Sequence, residues 1–295
     1  MKNLLYILVI AVTLTSCSME AEEEISWNIE KHPDMLVVHS VITNEYKEQA
    51  VFLSLTNSYF DNAAPRSVSN ATVVIEGGAK PVHFSERSDT PGLYYSEEPF
   101  ACEPQRTYKL SITLAQAING QNTYTALSRM PQGVNIDSMN CELYEMPEFT
   151  EEGDDDKDKD TTIIGIYYFG QEPQQAENFY FTRIFVNDKL TDNNPTEYDY
   201  FSITAENANY THMKGYIHNA GANDNVKLRL YAVEKKYYNY LEALHKMEET
   251  GNAYSMSGPP ANAIGNISEG QGLGYFLAAY VSEKTGQIVD KRKRK

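Results

Sequence analysis

The amino-acid sequence predicts a mainly β protein, with an antiparallel β-sandwich first and a second β-rich domain carrying one packed α-helix after it. Three observations lead there. Short segments rich in Val, Ile, Tyr and Thr recur along the chain, separated by glycine, proline and asparagine turns. Within them apolar and polar residues alternate, as in Tyr108-Lys109-Leu110-Ser111-Ile112-Thr113-Leu114, which gives each strand one face for a core and one for water. Only one long stretch, residues 234–249, has helical periodicity.

The first segment is an address. Lys2 is followed by an apolar run over residues 4–14, about half the roughly 20 residues that a membrane span requires. The run stops at Leu14-Thr15-Ser16-Cys17, the small-residue cleavage site ending in cysteine that marks a bacterial lipoprotein signal. Residues 1–16 are therefore read as a signal peptide, and Cys17 as the lipidated first residue of the mature chain. Several acyl chains anchor firmly, because each buried methylene contributes about 0.8 kcal/mol. Residues 17–33 form an acidic tether, where Glu20, Glu22, Glu23 and Glu24 favour a solvated, extended segment. That tether resembles the acidic export signal of Bacteroidetes lipoproteins displayed on the outer face of the outer membrane.

Residues 34–130 hold seven expected strands, at 35–43, 50–56, 71–76, 81–85, 93–97, 107–114 and 122–128. Gly77-Gly78, Pro91-Gly92 and Asn119-Gly120 supply turns between them, and seven short strands with such turns predict a sandwich. The run Asn70-Ala71-Thr72-Val73-Val74-Ile75, then Pro91-Gly92-Leu93-Tyr94, then Thr107-Tyr108-Lys109-Leu110-Ser111-Ile112 is similar to the immunoglobulin-like or transthyretin-like type of sandwich. Met130-Pro131-Gln132-Gly133 breaks the pattern and reads as a linker.

Residues 131–290 form the second expected domain, with strands at 136–143, 162–169, 179–186, 198–203, 226–233 and 275–281. Residues 148–160 make an acidic loop that has too few apolar residues to bury itself. Its alternating Asp154, Asp156, Asp158 and Asp160 suggest calcium, but the glycine precedes the aspartates and no closing glutamate follows, so a solvated loop is the better reading. In the helix, Tyr237, Leu241, Leu244 and Met247 fall on one face and Gly251 supplies a stop. Gly270-Gln271-Gly272-Leu273-Gly274 lacks the preceding strand and following helix of a phosphate-binding loop, so it marks a close approach of backbones instead. Residues 291–295 are a basic tail.

Charge and side-chain chemistry narrow the function. A net charge of −16 argues against nucleic acid as a partner. Cys102 and Cys141 are candidates for a disulfide in an oxidising envelope, although a chain this size does not need one. The sequence has no CxxC, no HExxH and no Gly-x-Ser-x-Gly, so no metal, cofactor or enzymatic reaction is expected. Twenty-two tyrosines favour a binding role, because Tyr gives broad contact at low entropic cost. Ser138 and Thr161 each follow an aspartate and precede a methyl-bearing residue, resembling the O-glycan acceptor of Bacteroidetes envelope proteins.

The final segment carries the most distinctive wording, Pro259-Pro260-Ala261-Asn262, Gly265-Asn266-Ile267 and Gly274-Tyr275-Phe276. With the lipoprotein signal and the Pro91-Gly92-Leu93-Tyr94 stretch, it resembles the Bacteroidetes lipoprotein family called domain of unknown function 4249 (DUF4249), over roughly residues 24–290. The resemblance implies a companion of a TonB-dependent outer-membrane receptor that helps to capture a small-molecule, peptide or glycan ligand. It makes Pro259, Pro260, Asn262, Asn266 and Tyr275 the candidate partner-binding loop. A structural or adhesive surface module is the alternative, and a hydrolytic enzyme the third reading.

Overall fold

The strand that organises the molecule is the last one. In the computed structural model, β16 (Leu273–Asp290) is 18 residues long, and it changes partners twice along its length. Its first seven residues run parallel to β1 (Leu36–Thr43), with Val37 opposite Leu273 and Thr43 opposite Ala279. Residues 280–287 then pair antiparallel with β15 (Asn225–Val233), and residues 288–290 run parallel to β9 (Ile136–Glu145). The structure describes residues 33–57, 64–145, 162–173, 177–191, 198–204, 212–216, 220–251 and 263–292.

All seven strands expected in residues 34–130 form. After β1 come β2 (Ala50–Leu55), the short β3 (Arg66–Ser67), β4 (Thr72–Glu76), β5 (Val82–Glu86), β6 (Leu93–Ser96), β7 (Thr107–Ile118) and β8 (Gln121–Arg129). They pair in the order β1-β2-β6-β5-β4-β7-β8, each neighbouring pair antiparallel. The alternation does what it implies: Tyr108, Leu110, Ile112 and Leu114 of β7 are buried, while Lys109 and Thr113 are exposed. Residues from β1, β2, β4, β5, β6, β7 and β8 meet in one core, so the strands fold over as a sandwich. The β7–β8 turn has φ of 51° at Asn119 and 83° at Gly120, the pair of positive angles that a two-residue turn needs to match strand twist.

Beyond the linker lie β10 (Thr162–Gly170), β11 (Glu177–Val186), β12 (Lys189–Leu190), β13 (Tyr200–Thr204) and β14 (His212–Tyr216). The helix α1 (Lys235–Gly251) then follows β15 directly. β12 and β14 were not expected. The first is two residues long, and the second is the polar sequence His-Met-Lys-Gly-Tyr, held by pairing with β10 and carrying no apolar alternation of its own.

The sequence divides at Met130, but the cores do not follow that division. Phe276 and Ala278 of β16, with Ile267, are buried in the same cluster as Leu53 and Leu110 of the sandwich. The intervening β16 residues, Tyr275, Leu277, Ala279 and Val281, point the other way into an aromatic cluster with α1, and Ile288 reaches a third core with Ile166 and Leu228. A single strand thus contributes to every core. From residue 33 onward the described residues cluster as one compact unit.

Candidate functional site

The face that β11, β15, β16 and β1 turn toward α1 carries mostly large side chains, and these line a half-open cavity of about 470 Å³. Strand register builds its floor. Phe181 of β11 stands opposite Tyr231 of β15, and one step along, Arg183 stands opposite Arg229, which in turn faces Glu283 of β16. Phe181 stacks on Tyr231 with centroids 4.4 Å apart and planes 10° apart, and on Tyr198 at 5.1 Å and 7°, so three rings lie nearly parallel. The helix supplies the roof with Tyr237, Tyr240 and Leu244, and Tyr275 of β16 meets Tyr237 edge-on at 4.9 Å. His39 and Val41 of β1 close one side, because β1 directs its even-numbered residues into the sandwich and these odd ones outward.

The two arginines differ in their surroundings. Arg229 Nη2 lies 2.5 Å from Glu45 Oε2, and its Nε lies 3.4 Å from Glu283 Oε2; Lys47 Nζ shares the Glu45 oxygen at 2.5 Å. Burial pushes the Glu45 carboxyl up, but the hydrogen bond from Lys47 and the charge of Arg229 outweigh it and leave the group below its ordinary value. Glu45 and Glu283 thus both lie within ion-pair distance of the Arg229 guanidinium, and their charge holds it protonated. Arg183 has no ion-pair partner among the described residues. Its guanidinium lies 5.6 Å from the Tyr198 ring centroid, and its buried Nε has no hydrogen-bond partner. His39 presents surface to the cavity, while the surrounding walls desolvate it and lower its pKa below the ordinary histidine value, which favours the neutral imidazole at pH 7.

Glu234, at the end of β15, fixes the helix over this face. Its carbonyl accepts the first amides of α1, from Tyr237 at 3.0 Å and Tyr238 at 3.2 Å. Its carboxylate accepts a hydrogen bond from Ser128 of β8 at 3.1 Å, and Ser128 Oγ also accepts the amide of Ala278 at 3.0 Å. Burial pushes the Glu234 carboxyl up, against the Ser128 hydrogen bond.

The residues expected as sites distribute differently. Tyr275 is buried in the cavity wall and so does not belong to an exposed partner loop. Asn266 is a clasp: its Nδ2 donates to the carbonyls of Leu127 at 2.9 Å and Phe276 at 2.8 Å, and its Oδ1 accepts the Phe276 amide at 2.9 Å. Its amide group stands in for a strand pair between β8 and β16, which leaves no donor for a partner. Cys102 and Cys141 are both free, each buried in a different core, so the disulfide that the sequence suggested is not formed. Burial pushes their thiols up to about 12 and about 11. Ser138 is exposed on β9. Cys17, Thr161, Pro259, Pro260, Asn262 and the acidic loop 148–160 lie outside the described residues.

The sequence pointed to tyrosines in general but not to Arg183, Arg229 or His39. Their one local signal was the run Tyr180-Phe181-Thr182-Arg183-Ile184-Phe185, in which an arginine interrupts an apolar central strand. Among the described residues there is no group of three or more His, Cys, Asp or Glu that could hold a metal ion, and no helix is long and apolar enough to cross a membrane.

Comparison with known proteins agrees with the wording of the last segment. The family model described as Domain of unknown function (DUF4249) matches residues 22–285. No curated protein matches the sequence. Among solved structures, the chain is similar to the chicken CNTN1 FN1-FN3 domains at 10% identity and a TM-score of 0.26, over 67% of this chain and 60% of that one. It is also similar to a chain of a cytokine receptor complex at 8% identity and a TM-score of 0.23, over 69% of this chain and 86% of that one. The chain therefore spans about 60% of the length of the CNTN1 fragment.

Proposed function

The chain belongs to the DUF4249 family, and we propose that it is a lipoprotein of the outer-membrane surface that captures a small ligand for a TonB-dependent transporter. The cavity under α1 carries this reading. A space of about 470 Å³ lies within the usual range for small-molecule pockets, roughly 300–1,000 Å³. Its walls are aromatic, with a few polar groups converging on it, the combination that gives a ligand both contact area and orientation.

The lipid anchor at Cys17 and the acidic tether support a position on the outer surface, where a captured ligand could pass to a receptor beside it. The tagged, lipidated protein extracted in mild detergent is expected to co-purify with a TonB-dependent receptor. Recovery of no such receptor under any growth condition would sink the transporter partnership. If deletion then changed attachment and left nutrient uptake intact, the adhesive reading would replace it.

A further inference from the structure

We infer that the cavity binds a small carboxylate on a planar aromatic body, with Arg183 holding the carboxylate and the rings around Phe181 holding the body. This rests on reading the cavity as a ligand site, and it adds the chemistry of what enters.

The argument starts from charge. Arg183 and Arg229 are directly opposite each other on adjacent antiparallel strands, an arrangement that is unfavourable for like charges unless something compensates. Glu283, the next residue across the sheet, and Glu45 compensate only on the Arg229 side. Lys47 shares Glu45, so the two cations Arg229 and Lys47 balance the two anions Glu45 and Glu283. That leaves the charge of Arg183, and one negative charge on a ligand would close the account. A phosphate monoester carries close to two charges at neutral pH and would overshoot it.

The geometry agrees with the charge. Arg183 Nε is buried and unbonded, whereas Arg229 is already held by Glu45 and Glu283, so the planar guanidinium of Arg183 is the one that awaits an acceptor. A carboxylate matches a guanidinium with two parallel hydrogen bonds, which a hydroxyl or a single carbonyl cannot do. The body is set by the other lining groups. Phe181, Tyr198 and Tyr231 lie nearly parallel, Tyr237 is tilted 50° to Phe181, and Tyr237, Tyr240 and Tyr275 meet one another at angles, which suits a flat ring making face and edge contacts. A flexible aliphatic chain would use none of these orientations.

The test compares 3-(4-hydroxyphenyl)propanoate with its uncharged primary amide, by isothermal titration against the full lipidated protein in mild detergent. The acid is expected to bind about ten- to a hundred-fold more tightly than the amide, the ratio that a charged hydrogen-bonded pair supplies. Arg183→Gln is expected to bring the acid down to the affinity of the amide and to leave the amide unchanged. Should that variant fail to fold, Arg183→Lys keeps the charge, loses the planar fork, and is expected to weaken the acid several-fold; unchanged affinity there overturns the assignment. Equal binding of acid and amide to the unaltered protein overturns the carboxylate inference while the cavity remains a ligand site. If neither binds, the inference falls, and if a panel of neutral aromatic compounds also gives no heat, the reading of the cavity as a ligand site falls with it.

Discussion

The sandwich core and the face under α1 share the strands β1 and β16, yet one is closed and the other is not. In the sandwich, aliphatic side chains such as Ile42, Leu53 and Leu110 are 0% exposed, and buried polar groups are satisfied. Gln49 Nε2 donates to the carbonyls of Glu45 and Phe100 at 3.0 and 3.1 Å, and its Oε1 accepts the Thr43 amide. Tyr94 donates its hydroxyl to the Val68 carbonyl at 2.9 Å while accepting the Ala71 amide at 3.0 Å. On the other face rigid rings replace branched aliphatics, a cavity remains, and the Nε donor of Arg183 is left over. Buried polar groups are nearly always paired in folded proteins, so the place where pairing fails is where a ligand is to be sought.

Five substitutions test that contrast, taken from the largest expected effect to the smallest. Gly274 holds φ of 81° where β16 enters against β1, and a β-carbon there would come within 2.1 Å of the Val38 carbonyl oxygen. Gly274→Val combines a forbidden backbone angle with that collision, and it is expected to cost more than about 4 kcal/mol in denaturant unfolding, enough to lose the fold.

Leu110→Ala in the sealed core should cost about 2–5 kcal/mol, whereas Leu244→Ala in the cavity wall should cost roughly 1 kcal/mol, because one side of Leu244 already faces space. Equal losses in paired urea titrations would erase the distinction between the two regions.

Asn266→Ala removes the clasp between β8 and β16 and leaves backbone groups of Leu127 and Phe276 without their side-chain partner. A loss of about 1–3 kcal/mol is expected, with ligand affinity unchanged. A variant that kept its stability and lost a protein partner would return Asn266 to the role that the sequence suggested.

Arg183→Gln should alter the melting temperature least. Relief of like-charge repulsion against Arg229 is worth a few tenths of a kcal/mol, so a slight rise is expected alongside the loss of carboxylate binding. A large fall in melting temperature would instead make Arg183 part of the scaffold.

Much of this architecture could be read locally. Seven sandwich strands, the Asn119-Gly120 turn and the helix were legible because alternation, turn chemistry and helical periodicity are properties of neighbouring residues. The expected strand at 275–281 was only the start of β16, since the continuation Ser282-Glu283-Lys284-Thr285-Gly286-Gln287 is polar and forms a strand through its pairing with β15. Gly265-Asn266-Ile267 and Gly274-Tyr275-Phe276 were recognisable as a signature, and of these Asn266 and Tyr275 were assigned to a partner loop, whereas Asn266 clasps β8 to β16 and Tyr275 is buried under α1.

The sequence by itself determined the β class, the positions of most strands, the helix after β15 and the family, because each is written in short-range patterns. Only the tertiary structure decided that β16 serves all three cores, that Cys102 and Cys141 are apart, and that Arg183 meets Arg229 beside a stack of rings. The reason is strand register. It is set by pairing between segments far apart in the chain, and a shift of one residue would turn Phe181 and Arg183 to the opposite face, so no local pattern encodes which side chains share a cavity.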